Sequence, residues 1–438
     1  MTASPDAAAV PAMSRRRFWS HVGLAALALI VMSWLSSGTL APYGTQPAEP
    51  CQYRINIDHL HFVAVYDMLD GKPAADWQGS VVLRRFLHPL LAFPLIKAFG
   101  FDLGGLLFNV LSLVVAQVGL ALAIRRYFDG RAAVLVTWLF ASYPGYAYWV
   151  GLPYSYGFIV PGTVAGLILL LWWHDRPLAR RSVAVAFAVG VLGLGYDLIP
   201  PLGGALLLLC LYRRRWLDLA LAAIVLVAWL AFIGRAVPAL FGFPALNGNT
   251  AIYVNVTASW LDAWNRFEGW GDLLAAVPGD FFSTFFYSNF LFLPILMLVM
   301  IAVRWRLGLR PVIPPIALAI MLTQLAIFLF LNLAPPTDGK WQMRGAWIAR
   351  IYQPWFVAVL LTVAATSFAL RGRRLHELVV GSVLLVALLD AAVITGPFVG
   401  LTPLYAGVYQ RFYRMPPHTH NASWVRKLGR RPYGICHK

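Results

Sequence analysis

Charge and cysteine are both scarce in this sequence. Only 12% of its 438 residues are charged and 60% are hydrophobic, a balance that excludes one soluble core and leaves no soluble domain to postulate. The three cysteines, Cys51, Cys210 and Cys436, lie far apart, with no CxxC pair and no metal-ligand spacing. A zinc site, a disulfide framework and thiol catalysis are therefore not expected. What charge there is leans basic, to a formal +17, but it falls in short clusters between apolar runs and forms no patch or arm. Such a distribution fits membrane topology, and no nucleic-acid partner is expected.

Apolar stretches dominate. They lie near 18–37, 104–124, 132–150, 156–173, 182–197, 199–212, 216–233, 285–303, 312–333, 353–370 and 376–396. At about 20 residues per crossing they give roughly eleven spans. The expected fold is an all-α polytopic membrane protein with a membrane domain over 18–396 and a cytoplasmic segment over 1–17. Arg15-Arg16-Arg17 before the first run resembles a signal sequence, yet the run is long enough to span and lacks a small-residue cleavage site, so it reads as an uncleaved helix. Basic turns at Arg125–Arg131, Arg176–Arg181, Arg213–Arg215, Arg304–Arg310 and Arg371–Arg374 are all cytoplasmic by the positive-inside rule.

Counting Phe86–Phe99 as a full span would invert those turns. Its Arg84, Arg85 and His88 at one end, Pro89 and Pro94 inside, and Lys97 near the other suit a helix along the outer interface, with a tilted or re-entrant span as the alternative. Three outer loops follow from this topology, 36–103, 234–284 and 334–352, with a basic tail over 397–438 on the same side. Long polar loops gathered on one face point to chemistry at the outer leaflet. Cys51 and Cys436 share that face and can pair in an oxidising compartment.

The first loop opens its polar segment with Asp58-His59-Leu60-His61, and polar and apolar groups alternate on a roughly helical period to Leu69. An amphipathic surface helix there holds Asp58 either as a general base at the mouth of a cavity or only as its N-cap. Asp67 and Asp70 read as solvated residues near a helix end and a turn. His59 and His61, two apart, diverge by about 200° on a helix and do not share an ion, although His61 can line the cavity as a donor. Arg84 and Arg85 either clamp a lipid phosphate with a guanidinium fork or anchor the interface to anionic headgroups.

Asp197 lies between two apolar runs, just before Pro200-Pro201, which must break or bend the helix. It can face the cavity of Asp58 and hold a sugar hydroxyl, an arginine or an ion, or cap a turn. Arg344, Arg350 and Tyr352 sit in the third loop on the side that carries few cations, where phosphate binding would explain them. The second loop mixes Trp260, Trp264 and Trp270 with Asp262, Glu268 and Asp272, a composition suited to stacking sugar rings or to a lid.

These features carry a resemblance. A basic N-terminus, one span, an outer loop with Asp58, Ala64, Leu69-x-Gly71 and Pro73, then Arg84-Arg85-x-x-His88-Pro89-Leu90-Leu91 ending Phe99-Gly100, resemble the C-type membrane glycosyltransferases, the GT-C superfamily that includes protein mannosyltransferases and lipid A aminoarabinose transferases. The overall pattern covers about the first 375 residues, with local detail in the first hundred. The resemblance implies a bacterial inner-membrane enzyme that takes a sugar from a polyprenyl-phosphate donor and passes it, with inversion, to a lipid, glycan or protein acceptor at the periplasmic face. It assigns the general base to Asp58, and matches Asp197-x-x-Pro200 and Arg350-Ile351-Tyr352-x-Pro354 to family patterns. Two departures stand out: no paired Asp-Glu or Asp-x-Asp follows the first helix, and no large soluble C-terminal domain is visible. No cofactor is required, and a divalent cation stays open. Two other readings remain, a lipid-linked sugar transporter or flippase, and a glycan ligase of the O-antigen-ligase kind on another polytopic fold.

Overall fold

The computed structural model describes residues 13–36, 65–66, 68–71, 85–143, 150, 155–240, 292–334, 342–343, 353–371 and 375–395. Nearly all of this is helix. In chain order come α1 (Arg15–Ser36), α2 (Leu87–Phe99), α3 (Phe101–Tyr127), α4 (Gly130–Ala141), a 3₁₀ turn (Ser155–Phe158), α5 (Ile159–Asp175) and α6 (Ala179–Gly193). A π-helical stretch (Ile199–Gly203) leads into α7 (Gly204–Tyr212), then α8 (Trp216–Ala231), a second π stretch (Phe232–Ala236) and α9 (Val237–Leu240). The series ends with α10 (Phe292–Arg306), α11 (Pro315–Asn332), α12 (Gln353–Ala369) and α13 (Leu375–Thr395). The exception is a two-residue antiparallel pairing, Leu333–Ala334 with Gln342–Met343, inside what the sequence suggests is a plain loop.

Among the described residues five helical runs are long and apolar enough to cross a membrane: Arg15–Trp34, Leu103–Tyr127, Ser155–Asp175, Trp216–Ala236 and Leu375–Ala392. Leu24, Leu27, Leu111, Val115, Ile224, Val227, Leu384 and Leu388 lie exposed along them, as lipid-facing side chains must. α12 is different. Every residue from Gln353 to Ser367 is buried, and the helix runs through the middle of the bundle against α4, α5, α10 and α11. An apolar helix enclosed on all sides needs no polar face.

Local signals set several boundaries. Asp129 accepts a 2.7 Å hydrogen bond from the Ala132 amide and caps α4. α4 stops at Ala141, well short of the end of the apolar run at 150, because Pro144 disfavours helical geometry in the residue before it. α6 likewise stops at Gly193, before the expected 197, and Pro200-Pro201, lacking amide protons, divert the chain into the π stretch. Gly100, at φ +81°, turns α2 back along α3, and Gly104 lets the two helices touch, since a Cβ there would lie 2.4 Å from the backbone of Leu95 and Ile96.

The basic turns near Arg125, Arg181, Arg213 and Arg371 collect at one end of the bundle. Met13 lies over Gly130, the Arg125 guanidinium sits 4.4 Å from the Phe18 ring centroid, Arg371 pairs with Asp129 at 3.7 Å, and Phe128 meets Phe368 edge-on. α5 runs parallel to α3, with Ile168 against Gly119, so its own basic end joins the same group. There Arg213 reaches His174 at 2.8 Å, and Arg181 bonds the carbonyls of Trp172 and Arg176.

Candidate functional site

Asn109 lies on α3 about 27 Å, by helical rise, from the basic end at Tyr127. Around its level three separate pieces of chain meet: the start of α2, the 3₁₀ turn before α5, and the turn at 194–198. A backbone hydrogen bond joins two of them directly, from the Leu87 amide to the Leu194 carbonyl at 3.0 Å. Phe158 locks the third in place. Its ring covers Gly195 and Gly162, where a Cβ would come within 2.3 and 3.0 Å of it.

At this junction Arg85 meets Asp197 from 112 positions away. Its guanidinium donates through Nε at 3.1 Å and through Nη2, both to the same oxygen, Oδ2. Tyr196 and Tyr156 present their rings to the cation at 4.5 and 5.6 Å, and stand edge to face with each other at 5.9 Å. Burial works against the Arg85 charge, but Asp197 and the two phenols outweigh it and hold the pKa above its ordinary value. Arg85 is a permanent cation, fixed in plane and position.

One turn along α2, His88 is completely buried. Its Nε2 lies 3.0 Å from Asn109 Oδ1, while Asn109 Nδ2 donates to the Val150 carbonyl at 3.1 Å. A carbonyl can only accept, so the amide nitrogen must face Val150, and His88 must carry its proton on Nε2. Nδ1 is then an unprotonated acceptor, buried and without a hydrogen-bond partner. Burial pushes this imidazole down to about 4, the Asn109 bond opposing it only in part. No space is left around the pair, because a Cβ on Gly157 would meet Asn109 Oδ1 at 2.5 Å.

Of the residues singled out in the sequence, Arg85 and Asp197 are thus brought into one site, with the arginine as the partner of the acid. Asp58, His61, Arg84, Arg344, Arg350 and Tyr352 lie outside the described residues, as do Cys51 and Cys436. Cys210 is free and buried. Asp70 sits in the turn expected of it, before Gly71 at φ +74°, and gains a partner in Lys97 at 2.8 Å. Among the described residues no group of three or more metal-ligating side chains occurs.

Sequence reasoning missed Tyr156, Tyr196, Asn109 and Asp390. The tyrosines and the asparagine matter only through contacts that span the chain. Asp390 carried a readable signal, a lone acid in the apolar run Val383–Ile394. It ends the inward stripe Val379, Val383, Val386 of α13, fully buried, with neither carboxyl oxygen hydrogen-bonded. Searches against protein-family models, curated proteins and solved structures return no match.

Proposed function

We propose that this protein is an inverting glycosyltransferase that moves a sugar from a polyprenyl-phosphate donor to a lipid, glycan or protein acceptor. The supporting observation is the buried Arg85 cation, held at the end of the bundle away from the basic turns by residues from three chain segments. A guanidinium fixed there suits the phosphate of a lipid-linked donor. Asp58 accepts the proton of the acceptor hydroxyl, the oxygen attacks the anomeric carbon, and the polyprenyl phosphate leaves as an anion beside arginine. Arg84, Arg344, Arg350, Tyr352 and His61 complete the donor and acceptor contacts. The accompanying topology has about eleven spans in a bacterial inner membrane, basic turns inside and the site facing the periplasm.

The direct test is transfer from a polyprenyl-phosphate sugar by purified protein. Asp58→Asn should abolish it, and undiminished turnover removes the base assignment. Single cysteines at Gly71 and Gly372, labelled from outside intact cells, check the topology: Gly71 should react and Gly372 should not, and the reverse pattern inverts the whole arrangement.

Asp390 favours a second reading, a lipid-linked sugar transporter, because unpartnered acids inside apolar helices mark ion and substrate paths. In that case Asp390→Asn stops movement of the lipid-linked sugar across vesicles while Asp58→Asn leaves it intact.

A further inference from the structure

Arg85 and Asp197 are unequally placed. The arginine side chain is 6% exposed and wedged against two tyrosine rings, whereas the aspartate side chain is 25% exposed. Asp197 stands in a short turn between the end of α6 and the π stretch, on backbone that two prolines keep out of the regular helix. Of the two partners it is the less enclosed one. The bonding is uneven too. Nε and Nη2, the edge of the guanidinium that takes two parallel bonds, converge on a single carboxylate oxygen. A phosphate group presents two oxygens to the same edge, one for each donor.

The desolvation of the arginine is already in place before any ligand arrives. An uncompensated charge buried to this degree is costly, so Arg85 must be neutralised at every stage. Exchange of one anion for another satisfies that requirement. Simple addition of a second anion beside Asp197 does not, because it would set two negative groups against one cation.

We propose that Asp197 is the resident counter-anion of a phosphate-binding site at Arg85, displaced from the guanidinium when the phosphate group of the ligand takes its place. The step is a swap of hydrogen-bond acceptors on Nε and Nη2, and no covalent bond changes. Asp197 is then not a contact to the substrate but its competitor, and it sets the threshold of anion strength a ligand must exceed. Weak single-oxygen acceptors leave the pair closed, and two-oxygen phosphate acceptors open it. This inference rests on the reading of Arg85 as an anion site.

Binding to the full-length protein in detergent is measured with two probes, inorganic phosphate and undecaprenyl phosphate, for the wild type, Asp197→Asn and Arg85→Gln. The amide keeps an oxygen to hold the guanidinium but gives up the negative charge. Asp197→Asn should bind undecaprenyl phosphate about tenfold more tightly, and Arg85→Gln should lose most of the binding. Tightening of both probes means that the phosphate group alone displaces Asp197, and tightening of the lipid alone means that a lipid-borne phosphate is required. If Arg85→Gln weakens binding while Asp197→Asn binds no better than wild type, displacement is overturned and the anion site survives. If Arg85→Gln binds both probes as well as wild type does, the anion site itself is gone. Should Asp197→Asn fail to fold, the wild type provides the test through carbodiimide modification mapped by mass spectrometry. Undecaprenyl phosphate should raise labelling at Asp197 several-fold, and unchanged or reduced labelling overturns the swap.

Discussion

Each end of the bundle contains an arginine–aspartate pair, and the two are built in opposite senses. At the basic end Arg215 and Asp218 are three residues apart, bonded at 2.6 and 3.3 Å, with the arginine 34% exposed and the aspartate 2%. That carboxylate also accepts from Ser182 at 2.9 Å, and Ser182 in turn accepts from the Trp173 indole at 2.7 Å. The acid is enclosed and its bonds tie α5, α6 and α8 together. At the other end the arginine is enclosed and the acid is the more open member, and the partners come from distant parts of the chain. A buried acid ringed by donors is a fastening. A buried cation facing a partly open acid is a place where an incoming anion can be received.

Substitutions can break this contrast, and the largest effect is expected at the Arg85 end. Arg85→Gln should reduce sugar transfer by about a hundredfold to a thousandfold, the scale seen when one donor to a developing anion is removed. Asp218→Asn should leave transfer within about threefold of wild type and lower thermal stability in detergent by roughly 1–3 kcal/mol, because Ser182 and Arg215 lose a charged acceptor. If the two variants exchange phenotypes, with Arg85→Gln merely unstable and Asp218→Asn merely inactive, the assignment of roles to the two ends is wrong.

The histidine beneath Arg85 sharpens the contrast through pH. His88 stays neutral in the fold down to about 4, whereas the unfolded imidazole takes its proton near 6.5. As pH falls through that window the unfolded state binds the extra proton, so the fold loses stability on acidification and is unaffected above it, by up to roughly 3 kcal/mol. Melting curves between pH 7 and 4 should show His88→Gln falling less steeply than wild type, and parallel curves would remove the buried neutral imidazole. The smallest change is expected at Asp390. With no hydrogen-bond partner to lose, Asp390→Asn should shift stability by less than about 1 kcal/mol, and a larger loss would reveal a cation paired with it.

Much of the architecture is legible in local patterns. Apolar runs, arginine clusters at their ends and the Pro200-Pro201 break each occupy a few neighbouring positions, and each corresponds to a feature of the helices. Helix ends are legible where a proline marks them, as Pro144 does for α4, and run length alone overshoots them. The candidate site is another matter. Asp197 stands out in the sequence because an acid beside two prolines in apolar surroundings needs a reason, but the reason is Arg85, and nothing at either position names the other. Tyr156 and Tyr196 look like ordinary boundary aromatics until the fold sets their rings on the guanidinium.

The separation of that pair also orders events during synthesis. Arg85 is made 112 residues before Asp197, an interval on the order of ten seconds at ordinary translation rates. Throughout it the cation lacks the carboxylate that it meets in the fold, and α3, α4, α5 and α6 must be inserted before Asp197 arrives. Water or lipid headgroups must hold Arg85 until then, which favours a short helix that waits at the membrane surface. The junction of α2 with the 194–198 turn therefore cannot close until α6 is complete, and a ribosome stalled before Asp197 would leave behind a chain whose Arg85 still lacks the partner it has in the fold.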